Sequence, residues 1–285
     1  MRDTLPPSPS VVVGIDGSRS ALTAASWAVD EAVARDVPLR LVYAIDEPTD
    51  DQRAVSELAA AEAAIRQAVT TVEASGRPVR IEVEIKQDRP SAALLDASRD
   101  AAMLCIGAVG TQRASVGSLG STAGAVVSRA HCPVAVVRGY DPSRTNAMSI
   151  VVEVDMSSDT DTVLQRGIDE ALLRGAPLVV ISVWHPHFTD VHDGHAVAEQ
   201  NRQVRAELNR RLARTRRRHP ELEVQPVAVH GNLLNYLSRH AASIQLVIVG
   251  PRRAHGVAEM IGPPSYAALH DTECSVLVCD THGGL

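Results

Sequence analysis

Short apolar runs alternate with longer segments of helical periodicity along almost the whole chain. A continuous apolar run is typical of a strand buried on both faces, and apolar positions three and four residues apart indicate a helix packed on the sheet. In the first half this pattern predicts five strands, at residues 11–16, 39–45, 79–85, 102–106 and 133–138. It also predicts four helices between them, at residues 21–35, 51–74, 90–99 and 121–130. Strands that alternate with helices predict parallel βαβ units in a doubly wound α/β sheet. The third strand alternates apolar and charged positions, which predicts a half-exposed edge.

The pattern starts again near residue 149. Strands are predicted at 150–155, 178–184, 223–229, 246–249 and 276–279, and helices at 160–174, 195–217, 233–241 and 265–270. Landmarks recur at a nearly constant offset, because Asp155 follows Asp16 by 139 residues and Cys274 follows Cys132 by 142. We therefore predict a tandem repeat of one fold. A disordered tail (1–10) precedes the first domain (11–140), and a linker joins it to the second (148–281).

Composition narrows the class of protein. Hydrophobic residues make up 45% of the 285 residues but aromatic residues only 2%, so the core is expected to consist of Val, Ile, Leu and Ala. A net charge of −6 argues against nucleic acid or a membrane surface as a partner. The four cysteines lie in or beside apolar runs without C-x-x-C or zinc-site spacing, which indicates buried reduced thiols. The sequence shows no signal peptide and no membrane span, so a cytoplasmic location is expected.

A glycine-rich loop between the fourth strand and the fourth helix carries the candidate chemistry. Gly107 ends an apolar run, Gly110 follows after two residues, and Gly120-Ser121 opens the next helix after nine more. Free N–H groups at a helix start and the helix dipole favour an anion, and small side chains let it approach the backbone. We interpret the loop as a phosphate cradle. The alternative is that its glycines only form the turns of an ordinary loop.

Together these features resemble the tandem form of the universal stress protein family. The matching segments of the first half are Val-Gly14-Ile-Asp16-Gly-Ser18, Leu41-Val-Tyr-Ala44, Gly107-x2-Gly110-x9-Gly120-Ser121 and His131-Cys-Pro133-Val-Ala-Val-Val137. The resemblance implies two Rossmann-like domains, each a five-stranded parallel sheet of order 3-2-1-4-5 flanked by helices. It also implies ATP binding where the glycine pattern is present. Because family members commonly pair through their terminal strands, either a homodimer or a pseudo-dimer within one chain is expected.

The nucleoside is expected between the first and fourth strands. With the order that the resemblance implies, these strands are neighbours whose helices cover opposite faces, so a ligand crevice opens at their carboxyl ends. By resemblance, Asp16 lies beside the ribose and adenine, and the backbone of Ala44 reads the adenine edge. Gly14 and Gly107 would allow the nucleoside to approach closely. For Asp16, the alternative is a capping or turn residue before the first helix.

The phosphates are expected on the glycine loop. By resemblance, Gly110, Gly120, Ser121 and Thr122 hold the phosphates of ATP, which is bound with Mg²⁺. Arg113 is added on its chemistry alone, as a loop cation that can pair with a phosphate, against the alternative of a solvated charge.

The second half departs from the pattern. Gly250 matches the first glycine, but Arg253 replaces the second, and Pro263-Pro264 replace Gly-Ser. Proline offers no N–H to a phosphate, and Glu153 puts a carboxylate where the first half has a glycine. A structural or partner-binding role is expected for this half, with ATP binding as the alternative.

Two other clusters are interpreted as surface features. The loop 185–195 is rich in His and Asp but has no metal-site spacing, so no metal ligand is assigned and metal binding is the alternative. The arginine-rich run 210–218 ends a helix, where cations favour the dipole, and nucleic-acid binding is not expected.

No catalytic residue is assigned, because the sequence lacks a P-loop, a G-x-G-x-x-G element and a nucleophile with an identifiable base. Three hypotheses follow. The first is an ATP-binding regulator of the stress or growth-arrest response that acts on an unidentified protein partner. The second is a weak ATPase or self-phosphorylating enzyme in the same pocket. The third is a nucleotide-free interaction scaffold.

Overall fold

The computed structural model describes residues 9–46, 51–110, 120–155, 161–184, 194–261, 269 and 272–279. Within them, ten strands form one continuous sheet of order β3-β2-β1-β4-β5-β10-β9-β6-β7-β8. The strands are β1 (Ser10–Ile15), β2 (Leu39–Ile45), β3 (Ile81–Gln87), β4 (Ala101–Gly107), β5 (Val134–Val137), β6 (Ser149–Glu153), β7 (Leu178–Trp184), β8 (Val224–His230), β9 (Ile244–Val249) and β10 (Ser275–Val278). The α-helices are α1 (Arg19–Arg35), α2 (Asp51–Glu73), α3 (Pro90–Ala97), α4 (Ser121–Arg129), α5 (Asp161–Arg174), α6 (Gly194–Arg218), α7 (Leu233–His240) and α8 (Val257–Ile261).

The sheet consists of two copies of one arrangement that meet in the middle. Read inward from either edge, each half has the order 3-2-1-4-5, and neighbouring strands within each half are parallel. The two terminal strands, β5 and β10, pair antiparallel, with Val136 opposite Val276. The doubly wound α/β fold is confirmed, and the expected edge-to-edge pairing of the terminal strands is present within the single chain.

Helices cover both faces of the sheet, and each face has one core that runs through both halves. Helices α1, α2, α5 and α6 bury their apolar residues on one face, and α3, α4, α7 and α8 on the other. In β1, successive side chains alternate between the two cores, as the pleat requires: Val11 and Val13 face the first and Val12 the second. The alternating strand β3 lies at the sheet edge, where Val83 is 50% exposed.

A cluster of four ionisable side chains, three of them buried, joins α1 to α5. Glu31 accepts from Arg35 Nη1 of its own helix at 2.5 Å and from Arg174 Nη2 of the other half at 2.6 Å. Glu170 lies 3.2 Å from Arg174 Nη2 and 3.4 Å from Arg35 Nη2. Glu31 and Glu170 are fully buried, and Arg174 stacks over the Trp27 ring at 4.5 Å. Both the glutamates and the arginines are 139 residues apart, so the cluster is formed by equivalent positions of the repeat.

The described strands and helices begin and end within two residues of their predicted limits. The exception is the end of the second half, where the predicted helix at 265–270 lies outside the described residues apart from residue 269. A helical segment that the pattern did not predict precedes it, consisting of a 3-10 turn at Pro251–Gly256 followed by α8. Helix α8 has five residues, of which Val257 and Met260 are described as buried and apolar. So short a segment does not show a helical period in the sequence.

Candidate functional site

The crevice predicted from the strand order lies between β1 and β4. These strands pair directly, and the helices that follow them pack on opposite faces of the sheet, α1 in one core and α4 in the other. The chain therefore leaves the two strand ends in opposite directions, which opens a crevice at the usual ligand position of doubly wound sheets. Asp16 directly follows β1, and Gly107 is the last residue of β4.

Asp16 shapes the turn after β1 and contacts the start of the glycine loop. Its Oδ1 accepts a hydrogen bond from the Ser18 backbone N–H at 2.9 Å. Ser18 is itself the N-cap of α1, because its Oγ accepts from Ala21 N at 3.0 Å. A Cβ placed on Gly110 would lie 2.8 Å from Asp16 Oδ2. The structure thus brings together two predicted site residues, Asp16 and Gly110, and assigns the helix cap to Ser18.

Gly14 and Gly107 lie against the chain's own atoms. A Cβ on Gly14 would be 3.0 Å from Leu94 Cδ1, a side chain of α3. A Cβ on Gly107 would be 2.5 Å from Ser20 Oγ and 2.8 Å from the Ala21 backbone nitrogen. Close packing of α1 on the end of β4 therefore accounts for Gly107, whereas at Gly14 the near atoms are the ends of side chains.

Gly120, Ser121 and Thr122 form the start of α4, which opens to solvent. Gly120 is the N-cap residue and supplies no side-chain capping hydrogen bond to the first turn. The first N–H bonded within the helix is that of Gly124, to Gly120 O at 2.9 Å. A Cβ on Gly120 would have no heavy atom of the described residues within 4 Å. The backbone here is accessible in a way that the backbone of Gly107 is not.

A cavity of about 680 Å³ lies in front of this helix start. Its volume is in the range of small-molecule sites. Residues from the ends of β2 and β3 and from the starts of α3 and α4 line it: Asp46, Gln87, Asp88, Arg89, Pro90, Ser91, Ser121 and Thr122. Of these, only Ser121 and Thr122 were predicted. The others were missed because they lie 30 residues or more before Ser121 in the chain. The one signal in the sequence was Pro90, which marks the start of a helix after the third strand.

Ala44 and Tyr43 lie on β2 beside the crevice. Ala44 comes one residue after Tyr43, which is the last partner of β1 on this strand, opposite Ile15. Burial, and then the nearby carboxylates of Asp16 and Glu57, raise the pKa of the Tyr43 phenol. Tyr43 therefore offers a neutral hydroxyl close to Asp16, a group that the sequence alone did not single out.

Some predicted positions lie outside the described residues. Arg113 belongs to the segment 111–119, which the structure does not describe. Pro263 and Pro264 of the second half lie in another such segment, 262–268. Arg253 falls within the 3-10 turn Pro251–Gly256. The His-rich loop is described only from residue 194 onward.

The corresponding strand end of the second half is held by the chain's own cations. Arg252 Nη1 lies 3.7 Å from Asp155 Oδ2. Arg211 of α6 donates to the Asp155 carbonyl oxygen at 3.0 Å and also pairs with Asp161 at the start of α5. Glu153, at the position of Gly14, is half-buried at the end of β6. Asp155, which corresponds to Asp16, thus pairs with one exposed arginine through its side chain and with Arg211 through its carbonyl oxygen.

The described residues contain neither a metal-ligand cluster nor a membrane-spanning helix. No group of three or more His, Cys, Asp and Glu side chains in that part of the chain could hold a metal ion. No helix there is long and apolar enough to cross a bilayer.

Comparison with known proteins places these features in context. The model of the universal stress protein family matches residues 9–138 and again residues 147–280. A universal stress protein of Mycobacterium tuberculosis is 45% identical over 276 residues, 95% of each chain. Another from the same organism is 38% identical over 278 residues, 96% of this chain and 97% of its own. The crystal structure of a universal stress protein from Archaeoglobus fulgidus has the same fold, with a TM-score of 0.67 at 18% identity over 97% of this chain and 100% of that one.

Proposed function

The chain belongs to the universal stress protein family, in its tandem two-domain form, and from this premise we propose that its first half binds ATP with Mg²⁺ and thereby acts as a regulator in the stress response. One observation carries the proposal: the uncapped start of α4 opens into a cavity that Ser121 and Thr122 line. Among the described residues of the second half, two arginines contact the corresponding strand end instead.

The start of α4 fits a phosphate group. The N–H groups of the first helical turn have no acceptor within the helix, and the helix dipole favours a negative charge there. The hydroxyls of Ser121 and Thr122 add donors. Because no described residue would contact a side chain at Gly120, packing against that part of the chain does not require a glycine there. A phosphate that approaches the backbone does require one.

The charges around the cavity fit a nucleotide bound as its magnesium complex. Asp46 and Asp88 line the cavity together with the single cation Arg89, as far as the structure describes the lining. Two carboxylates would repel a bare polyphosphate. Mg²⁺ is usually held by one or two carboxylates and by substrate phosphates, so Asp46 and Asp88 would hold it here. The ion would neutralise phosphate charge, and the protein residues would orient the chain of phosphates.

The nucleoside end is assigned to the crevice between β1 and β4. Asp16, which lies against Gly110, would accept hydrogen bonds from the ribose hydroxyls, because an ionised carboxylate is an acceptor only. The Tyr43 hydroxyl and the backbone of Ala44 are the polar groups of β2 beside it. The ATP-dependent output would be a protein partner that binds the loaded form more tightly than the empty form, since a ligand shifts an equilibrium only by its differential affinity.

We assign one ATP to each chain. In the second half, Arg252 and Arg211 hold Asp155 and its carbonyl oxygen, and Glu153 replaces the glycine of the first half. A nucleotide would have to break these pairs and approach a carboxylate.

Calorimetric titration of Mg²⁺·ATP into nucleotide-stripped protein tests the proposal. The wild type should bind one equivalent, and Gly120→Glu should bind none, because the added carboxylate would stand in the open space where the phosphates enter. Gly256→Glu is the matched control, since it adds the same charge in the second half at a glycine that is equally open with respect to the described residues. It should bind like the wild type. Absence of binding by the wild type would refute the proposal, and two equivalents would refute the assignment of the second half.

A further inference from the structure

Arg89 occupies a position that disfavours arginine. It is the N-cap of α3, in an extended conformation (φ −62°, ψ 139°), and its side chain makes no capping hydrogen bond. N-caps are usually Ser, Thr, Asn or Asp, whose oxygen accepts from a free N–H of the first turn. A guanidinium has only donors, and its charge opposes the positive end of the helix dipole. Arg89 therefore destabilises the start of α3 relative to an ordinary cap.

The second half shows what this position looks like with an ordinary cap. Helices α3 and α7 both have eight residues, and both follow the edge strand of their half. The residue before α7 is Asn232, whose Oδ1 accepts from Leu234 N at 2.9 Å. The half that keeps the glycine pattern thus has an unfavourable cap, and the half that lost the pattern has a favourable one.

Arg89 also lies where a cation would be useful. It lines the cavity of about 680 Å³ together with Ser121 and Thr122, which belong to a different helix start. Within the described part of the chain, no hydrogen bond or ion pair involves its guanidinium, which is exposed. A position that breaks a local stability rule beside a candidate site is where a functional reason is expected.

We propose that Arg89 binds the terminal phosphates of the nucleotide and makes the first half selective for nucleoside polyphosphates over monophosphates. The inference rests on the proposed function. The phosphate nearest the ribose would lie at the start of α4, and the later phosphates would extend across the cavity towards α3. There the planar guanidinium would donate two parallel hydrogen bonds to phosphate oxygens. A monophosphate would end before it reaches Arg89.

The test replaces Arg89 with the residue that the chain uses at the equivalent position. Arg89→Asn should raise the melting temperature of the ligand-free protein by about 1–3 °C, because it supplies a cap. It should weaken ATP binding by about 10- to 100-fold, the usual effect of losing charge-assisted hydrogen bonds. Binding of AMP, measured by competition, should change less than about twofold. Arg129→Ala, at the far end of α4, is the control and should leave both affinities unchanged.

Each other outcome is informative. Unchanged ATP affinity in Arg89→Asn would overturn the inference, and so would an equal loss for ATP and AMP, which would mean that Arg89 shapes the pocket as a whole. A lower melting temperature of Arg89→Asn than of the wild type would also contradict the inference, because it would show that Arg89 is kept for packing and not in spite of a stability cost. If the wild type binds neither nucleotide, the proposed function fails and the inference fails with it. That result differs from failure of the inference alone, in which the wild type binds ATP and Gly120→Glu does not.

Discussion

Gly107 and Gly120 belong to one glycine pattern in the sequence but have different surroundings in the structure. Gly107 packs against Ser20 and Ala21 of α1, whereas no described residue lies within 4 Å of where a Gly120 side chain would begin. The sequence predicted that both positions matter near the crevice. It could not show that one glycine serves helix packing, because the contact joins residues 86 or 87 positions apart in the chain. The same limit explains why Arg89 was missed: only the fold brings the start of α3 to the start of α4.

Substitution by alanine separates these two roles. Gly107→Ala should destabilise the protein by about 1–3 kcal/mol, because its Cβ would overlap backbone atoms of α1 that cannot move freely. Gly120→Ala should cost less than about 1 kcal/mol, the difference between Gly and Ala at an N-cap. Urea unfolding of both variants measures this difference. An unchanged midpoint for Gly107→Ala would show that α1 can shift away and that packing does not require this glycine.

Helices α1 and α5 are joined by carboxylates whose proton affinities differ. Burial and the charge of Glu31 raise the pKa of Glu170 to about 8, despite Arg174 and Arg35. Burial also disfavours the ionised form of Glu31, but Arg174 and Arg35 outweigh it and hold its pKa below the usual value. Two carboxyl groups this close do not ionise equally easily. The apolar runs predicted the ends of these helices well. The cluster itself was readable only as Glu-Arg pairs, four residues apart, that recur at the repeat offset.

This cluster predicts a pH dependence of stability. The pKa of Glu170 is higher in the folded protein than its usual 4.5. The contribution of Glu170 to the free energy of unfolding is therefore full below pH 4.5 and is lost as the pH rises through about 8. The loss should be on the order of 1–3 kcal/mol between pH 6 and 9. Glu170→Gln, which resembles the protonated acid, should remove this loss. Denaturant unfolding at several pH values gives the measurement.

Glu31→Gln is the matched comparison. It removes the carboxylate that both arginines contact. Glu170, which also lies beside both arginines, then loses the neighbouring charge that raises its pKa and can ionise in its place, so the loss of stability should be smaller than the cost of about 3–5 kcal/mol for an unpaired buried charge. That loss should be present across the neutral range. If Glu31→Gln were as stable as Glu170→Gln at pH 6, where Glu170 is protonated, the different roles assigned to the two glutamates would be wrong.

At the scale of the whole molecule, the two halves share their interior. The sheet continues through the antiparallel pair β5–β10, and the core on each face contains residues of both halves. The charged cluster adds contacts between α1 and α5. The tandem repeat was predicted from the offset of landmarks, and the pairing of terminal strands from the family resemblance. The continuity of the cores depends on three-dimensional packing, which neither the offset nor the resemblance specifies.

A shared interior predicts that a ligand of one half protects the other. If the chain unfolds as one unit, ATP at about 100 times its dissociation constant should stabilise the whole protein by about 2.7 kcal/mol. Amide exchange measures this directly, because the most protected amides exchange through global unfolding. Val151 in β6 and Val247 in β9, both fully buried, should then slow by the same factor, about 100-fold, as Val12 in β1. The Gly120→Glu variant should show no slowing at any of these positions. Slowing confined to Val12 would mean that the halves unfold separately. The β5–β10 pair and the buried charges would then couple the halves too weakly for a ligand of the first half to stabilise the second.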